Sequence, residues 1–212
     1  MNEFPFPYPP GFFEREDPSD DRRFYANPRL VVHVDDQAIA TITKYFKGTL
    51  PKDGAVLDLM SSWRSHLPED VPFKKVTGLG LNAMELQQNP QLHERLVHDL
   101  NTEAVLPLRD KSYDSAVVTV SIQYIVCPLE VFAQVLRVLK PGGSFHVLYS
   151  NRMFPTKAVS IWRTSSEEQW ALLVSSYFRH SGPWQRVEAM DLSPRPGSYS
   201  DPVYVVRAMK PT

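Results

Sequence analysis

The residues best suited to chemistry in this sequence stand directly after short apolar runs that are typical of buried β-strands. Each of five runs is followed by small or polar side chains that carry hydroxyl, amide or carboxylate groups. These polar segments are residues 58–62, 79–82, 98–101, 121–124 and 150–152. In an open α/β sheet the carboxyl ends of the strands meet at one crevice, where ligands bind. The spacing therefore predicts one concave site of about the size that a nucleoside needs.

Four residues near these segments are candidates for contact with a substrate: they are His33, Tyr124, Asn151 and Arg152. Asn151 and Arg152 follow the fifth apolar run, and an arginine there can bind a carboxylate through two parallel hydrogen bonds. A surface ion pair with an acidic residue is an equally good interpretation of Arg152. His33 precedes the first long helical pattern, where it can cover a ligand, although a structural role is the favoured interpretation.

Other chemistries lack the residues that they require. His93 and His98 have no cysteine or carboxylate at ligand spacing, which argues against a zinc site, and no metal is expected. Cys127 lies between Val126 and Pro128 without a neighbouring base, so we expect a buried residue rather than a nucleophile. The glycine patterns of dinucleotide-binding and phosphate-binding loops are absent, as is the G-x-S-x-G pattern of serine hydrolases.

The composition narrows the class of protein further. Of 212 residues, 23 are basic and 24 acidic, and the net charge of -1 argues against a nucleic-acid-binding or membrane-surface protein. The most apolar stretch, residues 116–126, is shorter than the roughly 18 residues that a membrane span needs. No signal-peptide pattern opens the sequence, and its single cysteine fits a reducing compartment such as the cytoplasm.

Hydrophobic periodicity places strands and helices around the polar segments. Apolar and β-branched runs predict strands at residues 56–59, 75–79, 95–98, 115–122, 145–149, 185–191 and 203–209. Helices are predicted from Asp35 to a stop at Gly48, at residues 82–88, from Pro128 to a stop at Pro141-Gly142-Gly143, and from a capping box at 165–168 to Gly182. The alternation predicts an α/β fold with a seven-stranded, mostly parallel sheet and helices on both faces. The last two strands have no helix between them, so they should form an antiparallel edge hairpin.

Residues 1–29 read as an N-terminal arm that precedes a single domain at 30–212. Aromatic residues alternate with prolines from Phe4 to Phe13, which favours an extended polyproline II conformation. Pro7 and Pro10 form a PxxP pattern that the aromatic groove of a partner could recognise. Packing of the arm on its own domain is the favoured interpretation, because several aromatic side chains are costly to leave in water.

One block of the sequence resembles the class I S-adenosylmethionine-dependent methyltransferases, in particular their UbiE or type 11 branch. That branch has the pattern LPF-x-D-x-SFD, then a strand, then E-x-x-RVLKPGG, and residues 106–114 and 131–143 follow it, with Gln134 in the glutamate position. The resemblance extends from about Val56 to Lys210. Residues 57–68 and 80–86 also resemble a plant and algal subset of methyltransferase-like proteins that carries LDL-x-SSW-x-SHLP and GLN-x-x-EL segments.

The resemblance implies a Rossmann-like fold, S-adenosyl-L-methionine as cofactor and a small-molecule methyl acceptor. Asp58 stands at the acid that opens the family's E/D-x-G-x-G-x-G loop, but every glycine is gone, and the loop offers the hydroxyls of Ser61, Ser62 and Ser65 instead. Gly80 occupies the position of the ribose-binding acid. Asn82 could offer an amide to the ribose, and Asp99 corresponds to the adenine contact. The residues expected at the cofactor are Asp58, Met60, Ser61, Ser62, Gly80, Asn82, Asp99, Leu100, Asn101 and Ser121. His66, beside the serine loop, could contact the cofactor or cap the loop.

Two other functions stay open beside the small-molecule methyltransferase. The loss of the glycines and of the ribose acid suits a catalytically inactive binding or regulatory protein on the same fold. A protein or RNA methyltransferase is the third interpretation, and the lack of a basic stripe argues against the RNA version.

Overall fold

A mixed β-sheet organises the molecule, whose computed structural model describes residues 4–194 and 199–212. In this part of the chain the sheet has seven strands in the order β3-β2-β1-β4-β5-β7-β6. Its strands are β1 Ala55–Leu59, β2 Lys75–Gly80, β3 Glu94–Val97, β4 Tyr113–Thr119, β5 Leu139–Tyr149, β6 Gln185–Asp191 and β7 Tyr204–Met209. Strands β1 to β5 are parallel, whereas β7 pairs antiparallel with both β5 and β6. The predicted fold class is confirmed.

Helices cover both faces because the central strands are apolar on both sides, as expected of parallel strands. The helices are α1 Asp21–Phe24, α2 Asp36–Thr49, α3 Ala83–Gln88, α4 Pro128–Val138, α5 Ser160–Thr164 and α6 Glu167–Ser181. Helices α4 and α6 pack on one face of the sheet, and α2 packs on the other. The strand order reverses between β1 and β4, so the crevice at their carboxyl ends is where this fold binds ligands. No helix within the described ranges is long and apolar enough to cross a membrane.

Three predicted boundaries are wrong at glycines and strand ends. Helix α2 continues through Gly48 to Thr49, because a single glycine lowers helix stability without ending the helix. Helix α4 ends at Val138, and the Pro141-Gly142-Gly143 segment lies within β5, since Leu139 already pairs with Tyr113. Strand β4 ends at Thr119 rather than at Ile122, because Val120 adopts a left-handed φ of 52°.

The capping box of α6 is shifted by one residue from the prediction. The Ser166 hydroxyl accepts from the Gln169 backbone, and the Gln169 side chain accepts from the Ser166 N–H. The apolar face of this helix, from Trp170 to Phe178, is buried. Part of the loop predicted between the last two strands, at 195–198, lies outside the described residues, as do residues 1–3 of the arm.

The N-terminal arm packs on its own domain, as favoured from the sequence. The Tyr8 hydroxyl lies 2.7 Å from the Ser176 hydroxyl on α6, and the Phe6 ring stacks on His180 of the same helix. Backbone N–H groups of the domain donate to carbonyls of the arm, as from Ser160 to Glu14 at 2.7 Å. The arm then forms α1, which periodicity did not predict, and reaches the carboxyl edge of the sheet.

Candidate cofactor and acceptor site

A cavity of about 310 Å³ lies at the carboxyl ends of β1 to β4. This volume is within the range of small-molecule sites. Residues from 21 to 34, named here the cover segment, and residues 152–154 after β5 form its outer wall. Every residue expected at the cofactor lines the cavity: Asp58, Met60, Ser61, Ser62, Gly80, Asn82, Asp99, Leu100, Asn101 and Ser121. The switch in strand order thus brings together residues that span much of the chain.

At the end of β1, hydroxyl groups of the serine loop surround a buried carboxylate. Asp58 is 3% exposed, and the Ser61 and Ser65 hydroxyls each donate to its Oδ2 at 2.6 Å. Burial raises the pKa of Asp58 to about 6, although the two serine hydrogen bonds act in the opposite direction. Met60, at the first glycine position of the family pattern, has a left-handed φ of 55°, a conformation that favours glycine. The loop therefore keeps a glycine-like turn without a glycine.

At the end of β2, the serine loop occupies the space that a side chain would need. The Ser61 N–H donates to the Leu79 carbonyl at 2.8 Å, which lays the loop across the strand end. A Cβ atom on Gly80 would overlap the Ser61 carbonyl oxygen. The serine loop and any side chain at position 80 therefore cannot share this space.

Asn82 uses its whole side-chain amide inside the chain. Its Nδ2 donates to the carbonyls of Tyr25 and Ala26 at 2.8 and 3.2 Å. Its Oδ1 accepts from the N–H groups of Met84 and Glu85, which makes Asn82 the N-cap of α3. In this structure the amide that was expected near a ribose therefore holds the cover segment against the sheet.

At the end of β3, Asp99 and Asn101 organise the turn that meets the cavity. Asp99 accepts from the Asn101 N–H at 3.0 Å and from the Thr102 hydroxyl at 2.8 Å. Asn101 donates from Nδ2 to Asp21 of the cover segment and to the Tyr124 carbonyl, both at 2.9 Å. Asp99 therefore organises a turn in addition to lining the cavity.

The end of β4 differs from the other strand ends, because its hydroxyl groups are unpaired. Thr119 Oγ1 and Ser121 Oγ are buried and have no hydrogen-bond partner in the described ranges. Both residues line the cavity. An unpaired buried hydroxyl costs about 1–3 kcal/mol, so a ligand that hydrogen-bonds to it recovers that free energy. These orphan hydroxyls, next to the Asp58 and Asp99 carboxylates, fit a polar nucleoside cofactor.

The candidate substrate residues separate into three inside the cavity wall and one outside it. His33, Tyr124 and Arg152 line the cavity. Asn151 lies outside it, exposed, and its amide donates to Glu167 Oε1 at 3.3 Å. Arg152 Nε lies 3.9 Å from Asp201 Oδ1, so both interpretations of this arginine are compatible with its position.

Two of the three histidines that line the cavity, His33 and His66, have a lowered pKa and are held in the neutral form. Burial lowers the pKa of His33, and it lowers that of His66 to about 4. A neutral imidazole can accept a proton, which is the requirement for a general base. Tyr124 accepts a hydrogen bond from the Phe154 N–H at 2.8 Å, and burial raises its pKa. Tyr124 is therefore a positioned neutral phenol near neutral pH.

The cover segment supplies site residues that the sequence analysis missed. Arg29 donates from Nη2 to the Phe24 carbonyl at 3.0 Å, and its guanidinium lies over the rings of Phe24 and Phe154. The backbone N–H of Arg29 donates to Glu85 Oε1 at 2.7 Å, which ties the segment to α3. No periodic pattern marks residues 21–34, so only their polar and aromatic content could have drawn attention to them.

The remaining groups that could react are the thiol of Cys127 and side chains that could bind a metal ion. Burial, with the nearby Glu130 and Asp99 charges, raises the pKa of Cys127 to about 11, so the thiol stays protonated near neutral pH. Within 4–194 and 199–212 there is no group of three or more histidine, cysteine or acidic side chains that could hold a metal ion.

The sheet has the Rossmann-like fold of class I methyltransferases, with a cavity of about 310 Å³ at its carboxyl edge. Residues 61–147 match the family model described as a methyltransferase domain. No curated protein matches the chain by sequence. The family match and the fold confirm the resemblance to S-adenosylmethionine-dependent methyltransferases of the type 11 branch, and they support S-adenosyl-L-methionine as the cofactor.

Solved structures with the same fold include enzymes of different kinds. The [4+2]-cyclase SpnF is 18% identical with a TM-score of 0.63, and the match covers 91% of each chain. A S-adenosylmethionine-dependent methyltransferase of Thermotoga maritima is 18% identical with a TM-score of 0.60, over 82% of this chain and 89% of that one. Phosphoethanolamine N-methyltransferase 2 of Haemonchus contortus, in complex with S-adenosyl-L-methionine, is 15% identical with a TM-score of 0.59, over 84% of this chain and 53% of that one. These likenesses show the fold, which hosts more than one reaction.

Proposed function

We propose that this protein is a methyltransferase that uses S-adenosyl-L-methionine and acts on a small-molecule acceptor. The observation that carries the proposal is the pair of buried hydroxyls on Thr119 and Ser121, which have no hydrogen-bond partner among the described residues and share one cavity with the Asp58 and Asp99 carboxylates. When bound, S-adenosyl-L-methionine supplies an electrophilic methyl group on a sulfonium centre. Asp58, Asp99 and the loop around Met60 and Ser61 would hold it.

The chain's own residues contribute positioning, exclusion of water and a proton acceptor. The cover segment is fixed by Asn82, Glu85 and Asn101, so it shields the strand ends from solvent. Holding two reactants in a fixed geometry can supply about 7–11 kcal/mol of the barrier reduction. His33 is neutral near neutral pH and can take a proton from an acceptor whose nucleophile carries one. A covered cavity of about 310 Å³ favours a small acceptor over a folded macromolecule.

Calorimetric titration with S-adenosyl-L-methionine and S-adenosylhomocysteine tests the proposal directly. We expect micromolar dissociation constants and a rise in melting temperature for both compounds. Adenosine serves as the control that lacks the methionine portion, and it should bind more weakly because it does not reach the Asp58 loop. The absence of heat and of thermal stabilisation at millimolar concentrations of both compounds would overturn the proposal.

A second function, a catalytically inactive binding or regulatory protein, is favoured by a specific observation. The polar side chains of the β1 and β2 ends bond within the chain: Ser61 and Ser65 to Asp58, Ser62 to Glu85, and Asn82 to the cover segment. Such a site needs no ligand at these positions. A protein that folds cooperatively but binds neither compound would support this second function.

We further propose a domain organisation for the chain and a location in the cell. We assign residues 30–212 to a single methyltransferase-like domain and residues 1–29 to an arm that packs on it. We also propose a cytoplasmic location, since a single cysteine fits a reducing compartment. Deletion of residues 1–13 tests the first point: the variant should fold but lose stability, because Tyr8 and Phe13 pack against the core.

A further inference from the structure

Most of the acidic and basic groups of the cavity lie on different walls; the exceptions are Asp21, on the cover segment, and Arg64, on the serine loop. The acids Asp58, Asp99 and Glu85 come from the strand ends and from α3, whereas Arg29 and Arg152 come from the cover segment and the loop after β5. Polarity of this kind means that two chemically different ligand portions are expected, one against each wall. The acidic wall suits the positive charges of the proposed cofactor, and the basic wall is left for the acceptor.

The acidic side chains of the cavity are already engaged by donors of the protein. Glu85 accepts from the Ser62 hydroxyl at 2.6 Å and from the backbone N–H of Arg29. Asp21, on the cover segment, accepts from both Arg15 and Asn101 and lies 3.2 Å from Lys157 Nζ. Among the described residues, none of these acids forms an ion pair with Arg29 or Arg152, and the one ion-pair contact of Arg152 is with Asp201.

The arginines of the basic wall, in contrast, have N–H groups that are unbonded or only weakly engaged within the described residues. Arg29 Nη1 is buried without a hydrogen-bond partner among the described residues, although Nη2 of the same guanidinium is bonded. The Arg152 side chain is 60% exposed, and its ion-pair contact with Asp201 is long, at 3.9 Å. An unpaired buried donor on a charged group is costly, and an anionic oxygen is the partner that satisfies it best.

Flat aromatic surface lies beside these arginines. The Phe154 ring centre is 6.0 Å from that of Tyr124, 6.4 Å from that of Tyr25 and 5.3 Å from that of His33. The Arg29 guanidinium lies 5.3 Å from the Phe154 ring centre. Phe154 lines the cavity and is only partly buried, and a planar apolar body can pack on such a ring through offset or edge contacts. The anion-binding donors and the ring-binding surface thus belong to one wall.

We propose that this wall binds the methyl acceptor, and that the acceptor is a small planar ring carrying an anionic carboxylate or phosphate group. Arg29 and Arg152 bind the anionic group, and Phe154 with its neighbouring rings binds the planar body. The assignment of this ligand as the acceptor rests on the proposed methyltransferase function, but the anion site itself does not.

Binding of three matched probes tests the inference: 4-hydroxybenzoate, phenyl phosphate and the uncharged 4-hydroxybenzamide. Each is titrated by ligand-observed NMR into the full chain, with and without saturating S-adenosylhomocysteine. We expect at least one of the anions to bind about tenfold more tightly than the amide, and the tighter anion identifies carboxylate or phosphate as the preferred group. Equal or weaker binding of both anions relative to the amide would overturn the inference.

Variants separate a specific site from general charge attraction. Arg152→Gln is expected to lower the affinity for the preferred anion about tenfold and to leave the amide unchanged. Arg179→Gln, on the exposed end of α6 away from the cavity, should change neither. Arg29→Gln should have the larger effect on the anion, and the exposed Arg152 variant keeps the test valid if the Arg29 variant does not fold.

The two proposals fail in different ways. Binding of S-adenosylhomocysteine with no anion preference would overturn the acceptor inference and leave the methyltransferase proposal intact. Anion binding that depends on Arg152, without any binding of S-adenosylhomocysteine, would overturn the methyltransferase proposal and support the anion site alone.

Discussion

The ends of β1 and β4 are neighbours in the sheet, yet the polar side chains at β1 are hydrogen-bonded within the protein and those at β4 are not, within the described residues. At β1, the Ser61 and Ser65 hydroxyls donate to Asp58, so the loop is satisfied without a ligand. At β4, the Thr119 and Ser121 hydroxyls are buried and unpaired in the described chain. One half of the crevice is thus stabilised by its own side chains, and the other half gains free energy only when a ligand binds.

The difference explains how a glycine-poor loop can stand where the family has glycines. Serine hydroxyls close the loop onto Asp58, and the resulting Ser61 carbonyl position needs the bare Gly80 beside it. We infer that the first half of the site is held rigid before a ligand arrives. Ligand affinity should therefore depend more on the charge of Asp58 and on the β3 and β4 ends than on adjustable loop contacts.

The largest expected effect comes from adding a methyl group at the contact between the serine loop and β2. Gly80→Ala would place its Cβ on the Ser61 carbonyl oxygen, a backbone atom that cannot rotate away. We expect the free energy of unfolding to fall by about 3 kcal/mol, as in an overpacked core. Urea denaturation measures this change.

Gly48→Ala is the matched control for that substitution. Gly48 lies inside α2 with no atom within 4 Å of an added Cβ, so alanine should stabilise the helix by about 0.5–1 kcal/mol. If both variants unfolded at the same urea concentration as the wild type, the serine loop could not be tightly held against β2.

The next largest effect concerns the charge of Asp58. Because its pKa is about 6, the affinity for S-adenosylhomocysteine should rise as the pH increases through 6 and the carboxylate ionises. Asp58→Asn should weaken binding at pH 8 by about 1.5–3 kcal/mol and remove this pH dependence. Calorimetry between pH 5 and pH 8 measures both, with the exposed Asp70→Asn as control.

The raised pKa of Asp58 also predicts how the stability of the protein depends on pH. A carboxyl group whose folded pKa is raised stabilises the protein below its unfolded pKa of about 4, and this contribution is lost as the pH rises through 6. The wild type should therefore lose stability relative to Asp58→Asn between pH 4 and pH 6. A difference between the two proteins that stays constant over this range would contradict the shifted pKa.

A smaller effect is expected from Ser65→Ala, on the self-satisfied side of the crevice. The Ser65 hydroxyl donates to Asp58 and accepts from Asn89 Nδ2 at 2.9 Å, so its removal leaves two buried groups short of a partner. We expect the free energy of unfolding to fall by about 2 kcal/mol. Urea denaturation without ligand is the measurement, and unchanged stability would mean that the loop does not depend on these bonds.

The smallest effect, and the sharpest contrast, is expected from Ser121→Ala. This hydroxyl has no hydrogen-bond partner within 4–194 and 199–212, so the stability of the ligand-free protein should stay the same or rise slightly. The affinity for S-adenosylhomocysteine should fall by about 1 kcal/mol, or roughly fivefold, which calorimetry resolves. A loss of stability comparable to that of Ser65→Ala would remove the distinction between the two strand ends.

Local patterns in the sequence predicted much of the fold but misplaced several boundaries. The strands were recognisable because buried parallel strands are continuous apolar runs, and α6 because its inner face follows the helical period. Gly48 and the Pro141-Gly142-Gly143 segment misled the prediction, since packing on the sheet carries α2 past its glycine and pairing with β4 draws Leu139 into β5. Neither competing interaction is visible within a short window of sequence.

The sequence by itself determined the mostly parallel sheet, its antiparallel edge hairpin and the set of polar residues that line the crevice. These features follow from short-range rules, because strand ends adjoin their own loops and parallel strands align their carboxyl ends. Only the tertiary structure decided what those residues do: that Asn82 holds residues 25 and 26, that Gly80 makes room for the Ser61 carbonyl, and that Arg29 joins the site. Each of these contacts joins residues about twenty to sixty positions apart in the chain, and loop closure over such distances is decided by packing and hydrogen bonding in the whole fold.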